Sequence, residues 1–153
     1  MDHDQQLKLQ LYNKCVDYVE QRISHIQCAI EAVSESGNDE TKSSAGDKHE
    51  TGRAMMQLEQ EKNSKQLHET LELKKMLDKI MPNQKSQTVA LGSIVITNKE
   101  KFYISISAGK ITINAETYYA VSPTSPIAIK LIGLTINQEI NFNGSLYAIQ
   151  QII

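Results

Sequence analysis

The residues best placed for chemistry are Asp47 and Glu50, in the run Gly46-Asp47-Lys48-His49-Glu50. On a helix, side chains three apart lie on the same side. Two carboxylates so placed suit a hard divalent cation, because Mg²⁺ takes one or two carboxylates and keeps water or phosphate oxygens as its other ligands. The same spacing is also a capping pattern, an Asp at the helix start with Glu three residues on. Acids are in any case favoured near a helix N-terminus by the helix dipole. The two roles are compatible, and spacing alone leaves both open. Around the pair, residues 31–50 hold six acids (Glu31, Glu35, Asp39, Glu40, Asp47 and Glu50) against Lys42 and Lys48, a local net charge of −4.

Other reactive residue types offer less. Cys15 and Cys28 lie 13 positions apart on one expected helix, with no C-x-x-C spacing and no His at a ligand spacing. They read as structural or incidental thiols. His3, His25, His49 and His68 are scattered. The chain has no phosphate-binding glycine loop, no dinucleotide fingerprint, no nucleophile elbow and no H-E-x-x-H. A self-contained enzyme is therefore not expected.

The elements that must position the acids divide the chain near residue 82. Residues 1–81 carry 15 acids and 11 bases and no proline, and they favour Gln, Glu, Lys and Leu, which are helix formers. Residues 82–153 carry 3 acids and 5 bases and all three prolines, and they favour Ile, Thr, Val, Tyr and Ser, which suit strands. Leu9, Tyr12, Val16, Val19, Ile23, Ile26, Ile30 and Val33 follow at alternating steps of 3 and 4, an a/d seam that needs a partner. Met55, Leu58, Leu67, Leu71, Leu77 and Ile80 supply one less cleanly, with no apolar residue from Glu59 to Gln66. Weak packing, or another surface, is expected there.

Between the helices, Ser36 to Gly46 is rich in Gly, Ser, Asn and Asp and reads as a polar turn. A first helix over 4–35 would reach roughly 48 Å at 1.5 Å per residue. The expected architecture is α+β: an antiparallel coiled-coil hairpin over 1–81 with its tip at 36–50, a Pro82-containing linker over 82–87, and a small antiparallel β domain over 88–153. In that domain Val89–Thr97, the alternation Phe102/Ile104/Ile106, Ile111/Ile113 and Tyr118–Val121 read as strands. Pro126 suits the first position of a short helix bearing Ile127 and Leu131, with Gly133 ending it. Asn143-Gly144 marks a two-residue hairpin.

Whole-chain composition sets outer limits. A net charge of −2 argues against a protein that coats nucleic acid, and two Cys cannot make a disulfide framework. No apolar run approaches the ~18 residues that would span a bilayer. The start, Met1-Asp2-His3-Asp4-Gln5-Gln6, is polar. A cytoplasmic protein with no membrane partner is expected.

The acidic run and its setting resemble the Gre transcript-cleavage factors. Gly46-Asp47-Lys48-His49-Glu50 is similar to their tip motif of Gly-Asp, two variable positions and Glu. Val121-Ser122-Pro123-Thr124-Ser125-Pro126-Ile127-Ala128-Ile129-Lys130-Leu131-Ile132-Gly133 is similar to the Ser-Pro-Ile/Leu…Leu-Leu/Ile-Gly signature of their C-terminal domain. The resemblance implies an FKBP-like C-terminal domain that docks on bacterial RNA polymerase, partly through Ser125, Pro126 and Ile127. It implies a finger that enters the secondary channel of the polymerase. There Asp47 and Glu50 would help hold a second Mg²⁺ while the polymerase hydrolyses a backtracked RNA; Asp39 and Glu40, acids of this chain's own longer tip run, are expected to support them. The chain would be a transcription elongation factor rather than an enzyme. It would touch the nascent RNA 3′ end indirectly and bind no DNA sequence-specifically. It would carry no cofactor or stable metal when free, sharing Mg²⁺ with the polymerase. The chain departs from the family after Glu50, where Thr51-Gly52-Arg53-Ala54 replaces Asn-Ala-Glu-Tyr, and its tip run is longer. Those departures motivate an alternative, a non-cleaving regulator or inhibitor that acts by occupying the channel. A coiled-coil dimer pairing through Leu67 to Ile80 is a further alternative.

Overall fold

The computed structural model describes residues 2–41 and 46–153, and side chains outside 36–51. In chain order the elements are α1 (His3–Thr41), α2 (Gly46–Asp78), β1 (Ile94–Thr97), β2 (Lys101–Ile104), β3 (Gly109–Ile113), β4 (Glu116–Val121), α3 (Pro126–Leu131), β5 (Glu139–Phe142) and β6 (Ser145–Ile152). The fold is α+β, a long helical hairpin followed by a sheet domain with one short helix. The chain forms two compact units. One joins Met1–Tyr18 to Lys75–Ile153, and the other is Val19–Lys74.

In the first unit six strands form one sheet in the order β3-β4-β2-β1-β6-β5. The sheet is mostly antiparallel, as the sequence implies, with one parallel pairing. After β2 the chain goes out to the edge as β3 and turns back as β4, so β4 slots beside β2 in parallel, with Phe102 opposite Tyr119. The other pairings are antiparallel. Both tight hairpins use residues in the left-handed region, which matches the twist of paired strands. Asn143 (φ 52°) and Gly144 (φ 79°) join β5 to β6, as expected; Asn114 (φ 51°) and Ala115 (φ 65°) join β3 to β4 with no glycine to signal it.

The core is built on both faces of the sheet. On one, Val95, Phe102, Ile104 and Ile149 pack with Val89, Ile127, Ala128 and Leu131. Side chains alternate along a strand, so Ile94, Tyr103 and Ser105 face the other way, and they too are buried. The start of α1 meets that second face: the Cys15 Sγ lies 3.5 Å from the Ser105 Oγ. Leu7, Leu11 and Cys15 are buried at steps of four. The seam read from sequence is displaced here, because Leu9, Tyr12 and Val16 only flank this stripe and are half-buried.

The second unit is the rest of the hairpin. Val19 and Ile26 are buried on α1 as the seam predicts. On α2 the apolar reading holds at Leu77, which is buried, and fails elsewhere: Met55 and Leu58 are each 65% exposed and Leu71 is 40% exposed, while the other buried positions among the described residues of the helix are Asn63 and Thr70. Thr70 Oγ1 donates back to the Gln66 carbonyl at 2.7 Å, and Asn63 Nδ2 is buried with no hydrogen-bond partner. An unpartnered buried amide N–H costs about 1–3 kcal/mol. Asn63→Leu is expected to raise stability by about 1 kcal/mol, read as a higher urea midpoint at unchanged slope.

Candidate functional site

The sequence-predicted acids fall at the far end of the hairpin. Asp39 and Glu40 lie within α1, which runs on to Thr41, and α2 begins at Gly46. Of the expected turn over 36–46, residues 36–41 and Gly46 are therefore helical, and residues 42–45 lie outside the described residues. Ser, Asn and Asp lower helix propensity by only tenths of a kcal/mol each, so a long helix runs through them. Asp47 and Glu50 sit three positions apart in the opening turns of α2. The side chains of all four acids lie outside the described residues.

The second predicted patch is the start of α3. Ser125 is its N-cap, with φ −67° and ψ 152°, and its Oγ accepts from the Ala128 N–H at 3.4 Å. The same hydroxyl donates to the Ser122 carbonyl at 2.7 Å. Pro126 occupies the first turn, where its missing N–H costs no hydrogen bond. Ile127 is spent in the core rather than presented outward, while Ile129 (63% exposed) and Ile132 carry the outward apolar surface. The helix ends as expected: Ile132 donates to the Ala128 carbonyl, and Gly133 takes φ 88°.

Sequence reasoning missed the polar groups inside the first unit. Lys8 is buried and its Nζ donates to the Gln84 carbonyl at 2.6 Å, tying α1 to the linker. Burial, and then the neighbouring Lys85 charge, push its pKa down. Beside it, Lys85 pairs with Asp2 at 3.5 Å. Asp2 also accepts from the Gln5 N–H, and this hydrogen bond is the main cause of its lowered pKa. An open groove of about 680 Å³ runs past Asp4, Lys85, Thr135, Ile136 and Ile152. Its rim carries both charge signs, so it selects for no particular ion. Burial raises the Cys15 thiol above its ordinary pKa, and Tyr103 is raised likewise by burial, with Cys15 and Tyr12 adding to it. The signal for these residues was the step-of-four spacing Leu7, Leu11, Cys15, which competes with the heptad seam.

Among the described residues, no group of three or more His, Cys, Asp or Glu is placed to hold a metal ion. Also among them, no helix is long and apolar enough to cross a membrane. Set against protein-family models, curated proteins and solved structures, the chain matches none.

Cys28 is exposed and Cys15 buried with a raised pKa. One thiol should therefore react rapidly with a chromogenic disulfide at neutral pH and the second only on unfolding; two equally fast thiols would contradict the packing of α1. A raised pKa on a neutral acid stabilises the fold below the unfolded-state value and is lost as pH rises above it. With Tyr103 raised in the fold, the thermal midpoint should fall steeply above about pH 10, the ordinary tyrosine value. Tyr103→Phe should flatten that limb.

Proposed function

We propose that this chain is a transcription elongation factor that binds bacterial RNA polymerase in the cytoplasm, enters its secondary channel with the hairpin, and stimulates cleavage of backtracked RNA. One observation carries the reading. Asp47 and Glu50 stand three apart where the second helix of a long hairpin begins, in a chain whose sheet domain bears the Ser125-Pro126-Ile127…Leu131-Ile132-Gly133 run. The α+β order of hairpin and sheet domain is compatible with a Gre-like factor.

The chemistry follows from what two carboxylates can and cannot do. Mg²⁺ keeps most of its waters unless several anionic ligands converge on it. In a two-metal site the second ion stabilises the leaving or attacking oxygen of an in-line displacement. Asp47 and Glu50 would complete the coordination of such an ion in the polymerase, and one of them would orient the attacking water. Asp39 and Glu40 add negative charge nearby and favour the ion's arrival. The factor itself breaks no bond, and the scissile phosphodiester and the nucleophilic water belong to the polymerase active site. Docking would use the outer surface at the start of α3, around Ser125 and Pro126.

The replacement of Asn-Ala-Glu-Tyr by Thr51-Gly52-Arg53-Ala54 favours a second reading. Without the aromatic, the tip loses a rigid support, and Gly52 weakens the opening helix by up to about 1 kcal/mol relative to Ala. A factor of this kind would occupy the channel and inhibit.

The test is transcript cleavage in stalled complexes of a bacterial RNA polymerase from the source organism. The native chain should accelerate shortening of the RNA, and Asp47→Asn/Glu50→Gln should lose at least roughly tenfold of that effect, as expected when groups supporting a metal lose their charge. Binding without acceleration, together with competition against an active cleavage factor, would establish the inhibitory reading. Failure to bind the polymerase would remove both.

A further inference from the structure

The face of the sheet that carries α3 also carries a row of aromatic rings. Tyr119 on β4, Phe102 on β2, Tyr147 on β6 and Phe142 on β5 follow one another across the strands. Successive ring centroids lie 6.3, 6.1 and 6.5 Å apart, and every pair is tilted or edge-on. Phe102 is buried at the centre, while Tyr119, Tyr147 and Phe142 are half-buried and keep part of their surface in solvent.

Two ammonium groups border the row. Lys99 Nζ stands 5.5 Å from the Tyr147 ring centre and Lys130 Nζ 5.7 Å from that of Phe142. Both lysines are exposed, and neither forms an ion pair with a described carboxylate. Lys101 differs, since it is neutralised by Glu116 and lies over Tyr118. Local structure holds the two bordering lysines in place. Thr97 Oγ1 accepts from the Lys99 and Glu100 N–H groups, fixing the β1–β2 turn, and the neighbouring Asn98 pairs with the Ala148 N–H on β6. Lys130 donates to the Asn141 carbonyl at 2.8 Å.

We propose that this aromatic row and its two lysines form a binding surface for single-stranded nucleic acid, taken without sequence preference. Every base presents a π-face, and single strands are held by aromatic side chains beneath the bases and cations along the phosphates. The charge distribution favours this occupant. Residues 82–153 carry a net +2 while residues 31–50 carry −4, so a polyanion is drawn to the sheet domain and repelled by the hairpin tip. This surface is separate from the acids of the proposed cleavage role and does not depend on it.

The experiment titrates the full chain into a fluorescein-labelled oligouridylate of about ten nucleotides, a length within the range one small domain covers, with anisotropy read at several salt concentrations. An oligothymidylate of equal length should bind comparably, and a duplex should bind weakly. Lys99→Gln/Lys130→Gln should weaken binding and flatten the log–log salt dependence by about 1.4, at 0.7 per phosphate contact. Tyr147→Leu keeps apolar bulk but removes the π-face, and should weaken binding roughly fivefold or more. The doubly substituted lysine variant alters only exposed side chains, so it decides the matter even if Tyr147→Leu fails to fold. No binding at low salt, or binding that both variants leave unchanged, would overturn the proposal. So would capture of an acidic protein at this face that the oligonucleotide does not displace.

Discussion

The double burial of β2 is the constraint on which the sheet domain depends. From Phe102 to Ile106 every residue is buried, so this strand needs cover on both sides. α3 supplies it on one face through Ile127, Ala128 and Leu131. On the other face cover comes from the far end of the chain, through Leu11, Cys15 and the base of α1. A small sheet of about 70 residues buries too little apolar surface by itself to be more than marginal. Recruiting the first 18 residues enlarges that core, which is why the compact unit crosses the composition boundary near residue 82. Lys8, buried against the Gln84 carbonyl, closes the same join from the polar side.

That constraint also explains which parts of the sequence were misleading. Phe102, Ile104 and Ile106 alternate with Tyr103, Ser105 and Ser107, a pattern that reads as one apolar and one wet face. Tyr103 and Ser105 are polar in name only at these sites: one is large enough to fill a core and the other finds the Cys15 thiol. Likewise the heptad seam of α1 identified its helical period but not which stripe would be buried near its start. Two apolar stripes run there, and the choice between them is made by the sheet, not by the helix. On α2, counting apolar residues could not find a buried face occupied by Asn63 and Thr70.

Local signals fared better than long-range ones, for a physical reason. A cap, a proline at the first helical position and a terminating glycine act within one turn, and Ser125, Pro126 and Gly133 each do what their chemistry dictates. Asn143-Gly144 is equally local. The Asn114-Ala115 turn was missed because Ala has no preference for the left-handed region and adopts it under the pull of the paired strands. Parallel pairing of β2 with β4 is a non-local outcome that no short window encodes. The acids at the hairpin end belong to a different category, since they were found by charge and spacing alone and rest on residue type rather than on contacts.

The hairpin and the sheet domain therefore obey different physics. The Val19–Lys74 unit has an apolar stripe on α1 facing a helix whose inward positions are partly polar. Its helices draw support from propensity as well as from packing. Such a unit gains less from burial, so it opens locally more readily than a packed sheet. For the proposed role this division is useful. A domain that docks must keep its surface fixed, whereas a hairpin that delivers carboxylates to another protein's ion needs only a helical backbone and charge at its end. In that role the two acids would bind Mg²⁺ only weakly in the free factor, because most of its ligands would remain water. That weakness is what a delivered ligand requires: an ion held tightly by the free factor would arrive already satisfied and could not be shared.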